Sequence, residues 1–317
     1  MVVLYVLFAL AILCPVYTYI LYPCFLSVLR DKNYRCDYIE PSVSVIVVGD
    51  DAEDKIKSVQ QCDYPKLEVR NGTYNDADKA AGEIVIFTDT KTQLDLEAVR
   101  NIVSSFADER VACVVGQQTN PEGNSAFWKY ENIVKGYESR IGCVSGATEG
   151  LFAVRKEALP KVPVSVRNKP FFIATKITEN GMAVVFQDEA KTYEGKTSGI
   201  NFKKHVSDAA GYWQALRLFP RMLIGHHGSF VYVSHRVLKW FVWVNMLVML
   251  VASGILGLNG AFLMALVFWL QVVTYFVVML LGRMKIRGPV GKLLGIGYYF
   301  VMLNVAYFVG AFKVKSV

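Results

Sequence analysis

Apolar residues follow two rhythms along this chain. Three stretches contain no Asp, Glu, Lys or Arg: Met1–Leu29, Phe241–Gly282 and Leu293–Phe312. A membrane-crossing helix needs about 20 apolar residues. The first stretch therefore predicts one span and the third another. The second, 42 residues long, predicts a helical hairpin that turns at Gly257, Asn259 and Gly260. Between the first two stretches the pattern changes. Val43–Val48 and Glu83–Phe87 are continuous apolar runs rich in β-branched residues, as in strands buried on both faces. Val111–Val115, Leu151–Val154 and Met182–Phe186 read the same way, whereas Leu67–Val69 is at most a stub of strand. Asp51–Gln61 is a short polar helix candidate, and Ser125–Arg140 is an amphipathic one. Leu94–Phe106 puts Leu96, Val99, Ile102, Val103 and Phe106 on one helical face. Strands alternating with helices predict an α/β domain with a mostly parallel sheet covered on both faces. Such sheets bind ligands at the carboxyl ends of their strands, so chemistry is expected in the loops after Val48 and Phe87.

Charge sharpens this division. Every charged residue lies outside the three apolar stretches. That excludes a soluble single domain, a disordered chain and an all-membrane transporter, and leaves a globule held between membrane segments. The first stretch has no early Lys or Arg and runs into Arg30, Lys32 and Arg35, which predicts a retained anchor whose carboxyl end meets the cytoplasm. Arg283, Lys285, Arg287 and Lys292 predict a cytoplasmic connection, while Lys313 and Lys315 oppose the charge rule and leave the last helix's orientation open. The net charge of +7 is concentrated near span ends, at Arg30–Arg35, Arg217–Lys239 and Arg283–Lys292. It fits anionic lipid head groups better than nucleic acid. The cysteines at 14, 24, 36, 62, 113 and 143 form no Cys-x-x-Cys pair and read as reduced thiols. His226 and His227, adjacent and therefore expected to point apart, read as interfacial loop residues and not as a metal pair. Trp240, Trp243 and Trp269 read as an interface belt. Gly142–Gly150 lacks a phosphate-loop lysine, which excludes an ATPase.

Several segments carry a resemblance: PSVSVIVV (41–48), DYP (63–65), GEIVIFTD (82–89), FWKYENIVKGYESRIGCVSGATEGLFAVRKEALPKVP (127–163), ENGMAVVFQDEAKTYE (179–194), and AAGYWQAL (209–216) leading to SHRVLKW (234–240). Over about residues 41–240 the chain resembles the membrane-anchored family 2 glycosyltransferases, relatives of cellulose, chitin and hyaluronan synthases. The resemblance implies a GT-A nucleotide-binding fold over 41–208, facing the cytoplasm, and membrane-interface helices over 209–240. One transmembrane helix (1–29) would precede it and three (241–312) would follow.

Sugar transfer needs a divalent cation on the diphosphate, a carboxylate base for the acceptor hydroxyl, and a surface for the nucleotide. The family meets these needs at motifs that depart here. Its Asp-x-Asp metal motif becomes Asp89 followed by Lys91, leaving Asp89 as a remnant. Its Asp-rich turn after the second strand has no counterpart after Val69, so that strand and turn are expected to be deleted. Two roles stay open to Asp50 and Asp51: contact with a nucleotide base, or capping of the helix that begins nearby. The acidic pair that supplies the base falls on Lys169 and Pro170, and Glu149 in the GATEG turn is the one substitute. The Arg-rich acceptor motif is represented by Lys203 and Lys204, with Ser207 where its last arginine would stand. Trp213 and Gln214 persist beside it; the tryptophan either stacks on a sugar or packs beneath the membrane helices.

The joint losses predict a catalytically inactive, structural or regulatory subunit of polysaccharide synthesis. It would work in the bilayer as a homo- or hetero-oligomer, paired with an active glycosyltransferase and without a cofactor. The alternative is an active inverting transferase with a rebuilt site at Asp89 and Glu149, using Mg²⁺ or Mn²⁺. A small channel or lipid-handling protein is the third reading. It is disfavoured because the apolar stretches carry only the amides Asn245, Asn259, Gln271 and Asn304.

Overall fold

A computed structural model describes residues 1–119, 126–194, 201–284, 286 and 288–314. Lys285, Arg287 and Lys315, and the start of the expected helix at Ser125, lie outside the described residues. The chain forms two compact units: Met1–Cys24, Gly199–Leu216 and Val233–Ser316 in one, Phe25–Ser198 and Arg217–Tyr232 in the other. Helix α1 (Val2–Val28) opens the chain and is long and apolar enough to cross a membrane. Pro15 and Pro23 bracket a π-helical turn within it, Tyr17–Leu21. A proline cannot donate to the helical ladder and clashes with the carbonyl four residues back, and a wider turn accommodates both defects.

The second unit is a seven-stranded sheet flanked by helices. In chain order it contains β1 (Val43–Val48), α2 (Glu53–Gln60), β2 (Leu67–Gly72), β3 (Ile84–Asp89), β4 (Thr92–Leu94) and α3 (Ala98–Ser104). β5 (Val111–Thr119), α4 (Ala126–Arg140), β6 (Phe152–Arg155), α5 (Lys169–Glu179) and β7 (Ala183–Glu194) complete it. The strand order is β2-β1-β3-β6-β5-β7-β4. β1, β2, β3, β5 and β7 run in one direction, and β6 and β4 run against them. The central strands are the continuous apolar runs, and on one face Val45, Ile86, Val114 and Ala153 join Val99, Ile102 and Phe106 of the α3 region in one core. Such burial contributes about 1.5–3 kcal/mol for each large apolar side chain.

One expectation is corrected here. Leu67–Val69 is no stub, and the strand is not deleted: β2 has six residues and pairs with β1 from Val43↔Leu67 to Val48↔Gly72. It is an edge strand with one hydrogen-bonded neighbour. Its side chains stay mostly half exposed, so Glu68, Arg70 and Asn71 interrupt the apolar run that marks a buried strand. Only the turn beyond it departs. Thr73 and Asp76 form a capping box there that opens a 3-10 turn, Tyr74–Lys79.

The first unit is helical. Helix α6 (Phe202–Leu218) runs without a break across the expected boundary between 208 and 209. The bent pair α7 (Ser229–Trp240) and α8 (Val242–Leu258) meets at 52°. α9 (Phe262–Leu281) and α10 (Pro289–Ala311) are each long and apolar enough to cross a membrane. Together with α1 they make three candidate spans among the described residues, or four if the bent pair counts as one. The hairpin between α8 and α9 turns at Asn259 and Gly260, where Gly260 has φ +90°. Gly257 allows the two helices to meet closely, since a Cβ there would lie 2.8 Å from the Ala265 Cα.

Candidate functional site

Backbone register assembles the site. Val48 at the end of β1 lies beside Gly72 of β2 on one side and Asp89 of β3 on the other. The loops after these strands therefore share the carboxyl edge of the sheet. Gly49 leaves β1 with φ +133°, and its missing side chain admits Thr90, whose Oγ1 would lie 3.0 Å from a Cβ. Asp51 adopts a left-handed backbone at φ 54°. The N-cap of α2 is Ala52 and carries no side-chain cap, so the capping role open to Asp50 and Asp51 is not used. Both aspartates are exposed.

Asp89 folds back on its own turn. Its Oδ1 accepts the backbone N–H of Lys91 at 3.0 Å and of Thr92 at 2.8 Å, an Asx-type turn. Thr88 Oγ1 donates to the Gly150 carbonyl at 2.8 Å, and Thr92 Oγ1 reaches the same oxygen at 3.3 Å. These bonds fasten the GATEG turn to the end of β3, so that Glu149, just before Gly150, comes to the edge where Asp89 sits. Lys91 points to solvent.

A second lysine lies beneath. Lys55 of α2 is buried, and its Nζ donates to the Thr92 carbonyl. Burial pushes this ammonium down to about 8, against the pull of the Asp89 charge, which favours the protonated form. Tyr74, just past β2, is buried against Phe87 and Phe152, with ring centroids 5.1 and 6.2 Å away. Burial, followed by the charges of Glu149 and Asp89, holds its phenol well above the ordinary tyrosine value. The Lys169 ammonium lies 5.8 Å from the centre of the same ring. It stands in the first turn of α5, which Asn168 caps by accepting the Phe171 N–H at 3.1 Å. Pro170 is buried in that first turn. The structure thus gathers Asp89, Glu149 and Lys169 around Tyr74, with Lys55 behind Asp89. Lys55 and Tyr74 carry no sequence signal as site residues: one sits in a short polar helix and the other in a turn, and only packing turns them inward.

Asp89 and Glu149 are the carboxylates that this part of the edge offers a divalent cation. Such an ion takes several hard oxygens that together carry negative charge. Here one Asp89 oxygen already holds two amides, and the carboxylate's charge also acts on the Lys55 ammonium. Among the described residues, no three His, Cys, Asp or Glu side chains converge as a metal site.

The remaining expected residues lie in the other unit, on α6. Trp213 Nε1 donates to the Tyr307 carbonyl at 2.9 Å, and its ring meets Phe241 edge-on at 4.9 Å. Both contacts are packing contacts within the helical unit. Gln214 is buried, while Lys203, Lys204 and Ser207 are exposed. The histidine expectation is corrected in its geometry. The rings of His226 and His227 do not point apart; their centroids are 4.2 Å apart. The reason is an irregular loop opened by Gly225 at φ +83°. His226 Nδ1 accepts the Gly228 N–H at 3.1 Å, and its Nε2 faces the Glu179 carbonyl at 3.1 Å. The ring therefore closes that loop.

No protein-family model and no curated protein matches the sequence. Solved structures do match the fold. A mannosyltransferase, PcManGT from Pyrobaculum calidifontis, in complex with GDP-Man and Mn²⁺, superposes with a TM-score of 0.73 at 17% identity, covering 95% of this chain and 99% of that one. Glucosyl-3-phosphoglycerate synthase from Mycobacterium tuberculosis, in complex with Mn²⁺, UDP and its product, matches 56% of this chain and 79% of its own at 12% identity. Its TM-score of 0.40 is too low to bear on this chain. The chain has a GT-A-like glycosyltransferase fold, with apolar helices of membrane-spanning length on both sides of it.

Proposed function

We propose that this chain is a membrane-embedded, glycosyltransferase-like protein that no longer transfers sugar and acts as a subunit of a polysaccharide-synthesising assembly. The observation that carries this reading is the state of Asp89. Its Oδ1 is committed to the amides of Lys91 and Thr92, and its charge acts on Lys55, a cation from the protein itself. A transferase of this fold leaves such a carboxylate for the metal that neutralises the diphosphate. PcManGT holds GDP-Man and Mn²⁺; here lysines stand at 55, 91 and 169, and the pair expected to supply the base is Lys169 and buried Pro170. Loss of ligand and base together, within an intact sheet, supports retention of the fold for assembly. The subunit would sit in the cytoplasmic membrane with the sheet domain on the cytoplasmic side, as the basic residues flanking the spans suggest.

Calorimetry on the purified chain tests this, using uridine and guanosine diphosphate sugars with and without Mg²⁺ or Mn²⁺. The expected result is no metal-dependent binding, together with copurification of a full-length glycosyltransferase. Micromolar, metal-dependent binding overturns it.

One observation favours a second reading. Asp89 and Glu149 still act on the same buried phenol, Tyr74, so two carboxylates remain on one rim. An inverting transfer with Glu149 as base, and lysines in place of the metal, would use that pair. Sugar transfer by the chain purified alone would establish it.

A further inference from the structure

At the end of the sheet opposite Asp89, the residues leading into β5 and β7 line a cavity of about 370 Å³, with Lys32, Tyr34, Arg110, Gly142, Met182 and His227 in its wall. Its polar side chains are an ammonium, a guanidinium, an imidazole and a phenol, and no carboxylate lines it. The nearby acids already have partners. Asp108 takes Arg110 through two contacts, Nε at 2.9 Å and Nη2 at 2.6 Å, and Asp31 lies 4.0 Å from Arg140. Lys32 forms no ion pair among the described residues, although its backbone is fixed by an N–H bond to the Arg140 carbonyl at 2.9 Å. The Arg110 guanidinium lies 4.7 Å above the Tyr34 ring. The Tyr34 hydroxyl in turn packs into the space left by Gly142, where a Cβ would lie 2.0 Å from it. Partial burial, followed by the charges of His226 and Lys32, pushes the His227 imidazole below its ordinary value. Asp108 balances Arg110, so Lys32 is the cation of this wall that has no ion-pair partner among the described residues.

Its place along the chain points to the source of an anion. Lys32 follows the end of α1 at Val28 by four residues, and His227 precedes the start of α7 at Ser229 by two. At about 3.5 Å per residue, Lys32 lies within ~14 Å of the end of that apolar helix, close to the head-group layer. We propose that this cavity binds the phosphate group of an anionic phospholipid, with Lys32, His227 and the Tyr34 hydroxyl as its donors. The proposal is independent of whether the opposite edge of the sheet retains catalysis.

The test is lipid retention by the full chain. The protein is reconstituted in phosphatidylcholine nanodiscs containing a minor fraction of phosphatidylglycerol, and bound lipid is read by native mass spectrometry. The expected result is preferential retention of one phosphatidylglycerol. Lys32→Gln should lower that retention about five-fold, the effect of one surface charge on an anionic lipid. Lys32→Arg should preserve it, and so should Lys57→Gln, which removes an exposed lysine of α2. A second arm titrates inorganic phosphate and follows the His227 imidazole by NMR. A shift in the wild type that is lost in Lys32→Gln supports the phosphate site. If that shift occurs while phosphatidylglycerol is not retained, the lipid is overturned as the source. Equal retention by wild type and Lys32→Gln, with no His227 shift, overturns the site.

Discussion

Asp89 Oδ1 accepts the backbone N–H of Thr92 at 2.8 Å, and the carbonyl of the same threonine receives the ammonium of Lys55. The carboxylate and the buried lysine thus grip one residue from both sides. The carboxylate is thereby part of the framework of the turn.

Removing the carboxylate is therefore expected to cost stability. Asp89→Ala leaves two amides without their acceptor and leaves Lys55 without its countercharge. The loss is about 1–2 kcal/mol, the usual range for a cap-like bond. Asp89→Asn keeps an acceptor oxygen and should fall between the two. Thermal unfolding midpoints in one detergent check the order; an unchanged midpoint for Asp89→Ala would show that the carboxylate is not structural.

Lys55 makes a prediction about pH. Its folded-state value, about 8, lies below the ordinary 10.5, so the native chain gives up this proton before the unfolded chain does. Below about 8 both forms are protonated and the burial penalty is fully present. Between about 8 and 10.5 the unfolded chain holds more proton, and this residue's contribution to stability rises with pH. The gap in unfolding midpoint between wild type and Lys55→Met should accordingly move in favour of wild type as pH goes from 7 to 10. A constant gap would rule out Lys55 as the titrating group.

Glu149 separates the two functional readings. In a non-catalytic subunit, Glu149→Gln changes stability by less than about 0.5 kcal/mol, as exposed substitutions usually do. Sugar release from nucleotide sugars then stays at background in both proteins. An active wild type and a drop of about 10²- to 10⁴-fold in the variant, the worth of a general base, would favour transfer.

Within the membrane unit, Gly310 governs the approach of α10 to α6. A Cβ there would lie 2.7 Å from Ala209 Cβ and 2.9 Å from the Ala210 nitrogen. Gly310→Val should push the helices apart and break the Trp213–Tyr307 hydrogen bond. Trp213→Phe removes that bond alone, for about 1 kcal/mol. The larger loss of thermal stability is expected for Gly310→Val. A neutral result there would mean that α6 does not dock at this point.

What could be read in advance follows from burial. β1, β3 and β5 announce themselves because both faces are covered, so Val43–Val48 is apolar but for Ser44 and Val111–Val115 is an unbroken apolar run. β2 stayed hidden because an edge strand turns Glu68 and Arg70 partly to water. The loop after β3 lies at the carboxyl edge of the sheet, and Asp89, Lys91, Glu149 and Lys169 are legible in the sequence as candidates for that neighbourhood. Lys55 and Tyr74 are not, since their inward placement depends on how α2 and the Tyr74–Lys79 turn pack onto the sheet. Nor does residue spacing reveal that His226 and His227 touch, because strand and helix geometry do not apply in a glycine-opened loop.

The stitching around Gly150 has one more consequence. The segment from Asp89 to Thr92 is held at one end by the ladder of β3 with β1 and at the other by the pairing of β4 with β7. Between them, Thr88 and Thr92 both bond the Gly150 carbonyl. Opening this turn would require two ladders to peel, so its amides are expected to exchange with solvent as slowly as those of the flanking strands. It is a rivet where a hinge might have been. Whatever docks on this edge meets a surface that surrendered its conformational freedom when the chain folded, and none is left to lose on binding.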